Sequence, residues 1–215
     1  IMCGPNQKDI TSLRPKKILP LNYENIKNWK IAYSMDLGFF EIDKEVEQNT
    51  LTALKKFESL GCQVTEVKLN WKKDEVNSVC FSHYANSFYK EISELSDSEK
   101  EQLSDYTKMF SGVTEMHIDS LKNNKKIYHE QIGAHLGYGV EESAMVTGKM
   151  YEEIGPILEK YDLFICPTNA LPAIKADIDI VNERVIINGK EQECADFAWC
   201  LSLIHISSPR DLSTS

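Results

Sequence analysis

Residues 30–67 constrain the fold more than any other stretch. Lys30-Ile-Ala-Tyr-Ser34 reads as a strand. Asp36, Gly38 and Asp43 follow, and Asp43 suits a helix N-cap. From Lys44 to Leu60, the apolar residues Val46, Ala53, Leu54, Phe57 and Leu60 are spaced for one helical face. Gly61 stands where a left-handed C-cap belongs, and Gln63-Val-Thr-Glu-Val67 alternates like a second strand. Strand, helix and strand at this spacing form a βαβ unit. Its strands are expected to be parallel, joined by a right-handed crossover. The chain is therefore α/β.

The second informative stretch is Tyr161-Asp-Leu-Phe-Ile-Cys-Pro-Thr-Asn-Ala-Leu-Pro-Ala173. Leu163-Phe-Ile-Cys166 is a short apolar run that Pro167-Thr168 stops, which predicts a buried strand opening into a loop. In open α/β sheets the carboxyl ends of the strands are where ligands bind. Between the two stretches, residues 74–160 read as mostly helical. Val76, Val79, Cys80, Tyr84 and Phe88 are spaced as one face. Ser96-Asp-Ser-Glu99 fits a capping box, after which Leu103, Tyr106 and Phe110 can turn inward. The spacing predicts further helices over His117–Leu136 and Glu142–Lys160. Gly155-Pro156 lies inside the latter and should kink or restart it. Residues 1–28, with Gly4, Pro5, Pro15 and Pro20, form an irregular lead-in. Val185-Ile-Ile-Asn-Gly-Lys190 carries the Asn-Gly pair of a two-residue hairpin.

Composition narrows the function. A length of 215 residues allows one domain with a sizeable core. The formal net charge of −9 and pI near 5.1 argue against nucleic-acid binding, which needs Lys and Arg to neutralise phosphates. No apolar run approaches the ~18 residues of a membrane helix, and no signal peptide is apparent. The six cysteines, Cys3, Cys62, Cys80, Cys166, Cys194 and Cys200, form no CxxC pair. Free, mostly packed thiols in a reducing cytoplasm are expected.

No residue cluster builds a site by itself. Cys166 ends a strand where a nucleophile could sit, but no base is near in sequence, so packing is the expected role. His129-Glu130 and His135 lack the i, i+4 spacing of a zinc helix. Ser87-Phe-Tyr-Lys90 fits Ser-x-x-Lys without its companion motifs, and is assigned to chance. Glu141-Glu142 reads as a solvated helix start, where acids are favoured. No Gly-rich phosphate loop occurs.

Three stretches, in order, resemble the amidase signature family. Met2-Cys-Gly-Pro-Asn-Gln-Lys-Asp-Ile-Thr-Ser12 is similar to the Gly-Pro-Asp-x-x-Asp-x-x-Ser segment that follows the family's catalytic core, with Asn6 in place of the usual Asp. Trp29–Val67 resembles its strand, Asp-x-Gly, helix and Leu-Gly-x-x-Val unit. Gly148–Ala173 resembles its Tyr-Asp-x-x-x-x-Pro-Thr strand and following Pro-Ala. The resemblance implies an incomplete amidase-signature fold: a mixed sheet covered by helices, with the central catalytic core missing. It implies hydrolysis of carboxylic amides by a Ser nucleophile, a bridging cis-Ser and a Lys base. All three belong upstream of this chain's first residue, so no catalytic residue is carried over and the chain alone is expected to be inactive. Pro167 and Thr168 are expected near the acyl pocket.

The family implies no cofactor and no metal. A small amide is the implied partner, with neither nucleic acid nor membrane, and a homodimer is left open. The Glu141–Lys160 block looks most like the stand-alone amidases. The rival reading is the amidase-like subunit of tRNA-dependent amidotransferases; outside that class, a non-enzymatic α/β binding module is the alternative. Residues 1–200 are expected to be the C-terminal piece of an amidase domain. Leu201-Ser-Leu-Ile-His-Ile-Ser207 resembles a translated sequencing adapter, so residues 201–215 are expected to be a non-native tail and His205 to carry no role.

Overall fold

The computed structural model describes residues 25–179 and 181–193. It is an α/β arrangement of helices and small sheets. Three strands, β1 (Lys30–Tyr33), β2 (Gln63–Glu66) and β5 (Leu163–Ile165), form a sheet in the order β2-β1-β5. Both pairings are parallel, with Ile31 opposite Val64 on one side and Leu163 on the other. Helix α1 (Lys44–Ser59) joins β1 to β2. The expected βαβ unit is therefore present. The Asp43 carboxylate caps α1 by accepting from the Glu45 N–H at 2.8 Å, and Leu54 is the helix's most buried side chain. Val46, Thr50, Leu54 and Phe57 form its inner face, whereas Ala53 and Leu60 are exposed. Thr50 takes an inner place by donating its hydroxyl to the Val46 carbonyl at 2.8 Å.

The region between the sheet strands, expected to be mostly helical over residues 74–160, departs from that reading in one place. Helices α2 (Lys73–Ser93), α3 (Asp97–Glu101) and α4 (Asp105–Lys122) form, and Glu99 reaches back to the Ser96 N–H at 2.8 Å. The segment expected to be helical to Leu136 then changes course. Asn123 caps α4 and Asn124 takes φ 50°. Strands β3 (Ile127–His129) and β4 (Ala134–Leu136) follow as an antiparallel hairpin closed by a 3₁₀ turn at Glu130–Ile132. Asn124 tolerates the left-handed conformation that turns the chain out of the helix.

Helix α5 (Val140–Lys160) runs through Pro156 without a restart. Pro156 is exposed, so the backbone bond it removes lies where water can replace it. Strand β6 (Arg184–Ile187) and β7 (Lys190–Glu193) form the expected hairpin, with Asn188 at φ 52° and Gly189 at φ 81°. Positive φ at both central residues is the turn that matches strand twist. Strands of both orientations thus occur, but among the described residues the parallel and antiparallel pairs lie in separate sheets.

Two apolar clusters hold the elements. The first gathers Leu37, Phe40, Ile42, Leu69, Ala170 and Ile187 at the carboxyl edge of the parallel sheet. The second joins α2, α4 and the β3–β4 hairpin through Phe81, Ala85, Val113, Ile132, Ala134 and Leu136. The buried face of α2 is Ser78, Phe81, Ser82 and Ala85 rather than the expected stripe: Val76, Val79 and Tyr84 are half-buried and Cys80 is exposed. Two hydroxyls explain the rotation. Ser78 Oγ donates to the Asp74 carbonyl at 2.5 Å and accepts from the His135 N–H at 2.8 Å, and Ser82 Oγ donates to the Tyr138 carbonyl at 2.9 Å. The serines are buried because they dock the hairpin.

Candidate substrate-pocket wall at the carboxyl edge of the sheet

Because β1 and β5 are parallel neighbours, the loops that follow them emerge side by side. The Ser34 N–H donates to the Ile165 carbonyl at 3.1 Å, extending the pairing one residue past β1. The β1 loop then turns tightly. Asp36 accepts from the Gly38 N–H at 2.8 Å through its carboxylate, and from the N–H groups of Phe39 and Phe40 through its carbonyl. Gly38 has φ 89°, and a Cβ there would strike the Leu69 carbonyl. The Asp-x-Gly motif is thus a backbone device. It delivers Leu37 and Phe40 to the first cluster and Asp43 to the start of α1.

The β5 loop lies against this turn. The Asp43 N–H donates to the Ala170 carbonyl at 2.8 Å. Pro167 is buried and Thr168 exposed, so the proline anchors the strand end while the threonine presents its side chain outward. Ala170 is fully buried beneath them. The β6–β7 hairpin closes the far side. Asn188 Nδ2 donates to the Ile42 carbonyl at 2.8 Å and to Glu41 Oε1 at 3.0 Å, and Lys190 Nζ lies 2.8 Å from Glu41 Oε2. Those partners hold the Glu41 carboxyl below its ordinary range. Sequence reasoning used the Asn-Gly pair only for its turn; the grip of the Asn188 side chain on Ile42 went unread.

Cys166 packs against the first cluster, and burial pushes its thiol pKa up. A protonated, packed thiol is not an activated nucleophile. The remaining candidates are dispersed. His129 and His135 lie on facing strands, paired with Ala134 and Tyr128, not on one helix. His135 Nε2 instead stands 3.5 Å from Asp74. Among the described residues no three His, Cys, Asp or Glu side chains cluster to hold a metal ion. Ser87 and Lys90 lie in α2 with side chains outside the described ones. Glu142 accepts from the Gly139 N–H at 3.0 Å and pairs with Lys126 at the start of α5; Glu141 is exposed beside it.

A cleft of about 300 Å³ opens elsewhere, between the start of α2 and the two hairpins. Lys73, Arg184, Asp74, Glu130 and Glu191 line it together, and among the described residues no serine, cysteine or histidine does. None of its lining belongs to Tyr161–Ala173.

Comparison with known proteins agrees with this fold. A profile of the amidase family matches residues 1–191, so the chain belongs to the amidase family. An acylamidase of Rhodococcus erythropolis is 24% identical over 173 residues, covering 79% of this chain and 32% of that protein. A bacterial aryl acylamidase of the amidase signature enzymes superposes with a TM-score of 0.56 at 16% identity, over 83% of this chain and 34% of that one. A glutamyl-tRNA(Gln) amidotransferase subunit from Thermotoga maritima gives a TM-score of 0.49 at 20% identity, over 82% and 35%. The chain spans about a third of the length of the relatives it matches. The Met2–Ser12 motif falls outside the described residues, as do Cys3, Cys194, Cys200 and residues 201–215. No helix among the described residues is long and apolar enough to cross a membrane.

Proposed function

We propose that this chain is the C-terminal portion of an amidase that hydrolyses carboxylic amides, and that it supplies one wall of the acyl pocket. The observation that carries this reading is the family match over residues 1–191 in a chain spanning 32% of its acylamidase relative. The names of the relatives favour N-acylated amines as the substrate class.

The chemistry is acyl transfer. A serine hydroxyl adds to the amide carbonyl while a neutral lysine takes its proton through a second serine. The C–N bond breaks, the amine leaves with a proton, and water hydrolyses the resulting ester to acid and free serine. Backbone N–H groups hold the tetrahedral oxyanion. These groups belong to the segment preceding Ile1. This chain contributes shape: Pro167, locked into the core, fixes where β5 ends, and Thr168 borders the acyl group. Residues 201–215 play no part in this chemistry.

The test is hydrolysis of an acyl anilide by two proteins, residues 1–215 and the same reading frame extended upstream through its Gly-Gly-Ser-Ser loop. Turnover by the extended protein alone is expected. An upstream region encoding no such loop would remove the reading.

A further inference from the structure

Helix α5 has two faces. Its inner face carries Val146, Met150 and Ile157. Ile157 packs on the first cluster, and the Met150 carbonyl accepts from Trp71 Nε1 at 3.3 Å. Glu153 fixes the same side by accepting from the Asn70 N–H at 2.7 Å. A second seam runs beside it at spacing 4-3-4-3-4: Val140, Ala144, Thr147, Tyr151, Ile154 and Leu158. Val140 is 76% exposed, Tyr151 66% and Leu158 51%. The Tyr151 ring lies against Gly155, where a Cβ would come within 3.1 Å of a ring carbon. The seam is about 27 Å long and ends beside β5, one of the two outer strands of the parallel sheet, whose Leu163 is 37% exposed.

Five of the six seam residues are apolar, with the exposed Thr147 between Ala144 and Tyr151 and Ile154 half-buried, and apolar residues alternating at three and four along a helix match a facing helix, which seats its own side chains between them. We propose that the Val140–Leu158 seam of α5 seats an apolar-faced helix from the part of the parent amidase outside this chain, beside β5. The occupant is argued from length: this chain accounts for 32–34% of the relatives it matches, so a parent of that length has about two thirds of its residues available to cover this face. The seam adjoins an outer strand of the sheet that a larger core would extend. This inference rests on the reading of the chain as part of a larger amidase.

The test separates the two. Residues 1–215 and the tagged upstream polypeptide are co-expressed as two chains, with Tyr151→Glu plus Leu158→Glu as the variant and Lys149→Ala, on the opposite exposed side of α5, as control. Wild type and control should co-purify with the upstream chain, and the double variant should lose at least tenfold in recovered complex. In the uninterrupted protein the same double variant should melt at least about 5 °C lower. Equal recovery of wild type and double variant, no recovery of wild type, or an unchanged melt overturns the proposal. So does a wild-type 1–215 dimer that the double variant turns to monomer, which would make a second copy the occupant. Absence of serine-dependent turnover in the uninterrupted wild type would instead remove the proposed function, with the co-purification result standing apart from it.

Discussion

Gly38 and His117 are single residues on which local geometry depends. At φ 89°, with the Leu69 carbonyl where a Cβ would stand, Gly38→Ala combines left-handed strain with a backbone clash. It is expected to cost at least about 2 kcal/mol, read as a lower urea midpoint with an unchanged m-value. His117 is fully buried on α4, and its Nδ1 accepts from the Gly137 N–H at 3.2 Å. Burial, and then Lys126, lowers its pKa below the ordinary imidazole value. In acid the unfolded chain therefore binds this proton more readily than the folded one. The contribution is complete above about pH 6.5 and is lost as pH falls through the folded pKa. The urea midpoint should drop between pH 7 and pH 5, and His117→Asn, which keeps an acceptor but cannot titrate, should flatten that part of the slope. An equally steep slope in the variant would assign the acid sensitivity elsewhere. The proposed role of Thr168 makes a functional counterpart: in the extended protein, Thr168→Arg should raise KM for an acyl anilide at least about tenfold by filling the proposed pocket, and an unchanged KM would move the wall away from this loop.

At the scale of elements, what could be read from sequence was what is written locally. Asp43, the Ser96–Glu99 box and Asn188-Gly189 act over a few residues, and each forms as expected, whereas the α1 stripe holds at Val46, Leu54 and Phe57 but not at Ala53 and Leu60. The β3–β4 hairpin was not legible because its cause is distant. Ile127–Leu136 is too short and polar to declare itself as strands, and it is held by Ser78 and Ser82, some 55 residues away in sequence. Those serines also hid the true inner face of α2, since a search for apolar periodicity passes over buried hydroxyls. The hairpin gives a prediction. Ser78→Ala leaves the His135 N–H without its acceptor and should cost about 1–3 kcal/mol, with faster amide exchange at His135. Unchanged exchange there would show that the hairpin docks through its apolar residues alone.

For the molecule as a whole, order of motifs mattered more than any one motif. Gly-Pro, Asp-x-Gly and Pro-Thr are each common, yet their sequence along the chain led to the amidase family, to which the profile match assigns residues 1–191. The proposed pocket wall could be read only as a place, the loops after β1 and β5, because parallel pairing fixes which strand ends share an edge. Which side chains stand opposite Thr168 was not legible, since the residues proposed to do the chemistry precede Ile1. The outer position of β5 and the exposed seam of α5 also bear on folding. Residues 1–215 alone should show a broad, weakly cooperative thermal transition, and a sharp melt of a monomer would contradict this. The central claim, that this chain is the wall and not the engine of an amidase, is tested most directly by locating the acyl-enzyme. The upstream-extended protein and residues 1–215 are each incubated with a serine-directed acylating probe, digested and mapped by mass spectrometry. The account predicts one adduct, on a serine preceding Ile1, and none within residues 1–215; a stoichiometric adduct on a serine of this chain would contradict it.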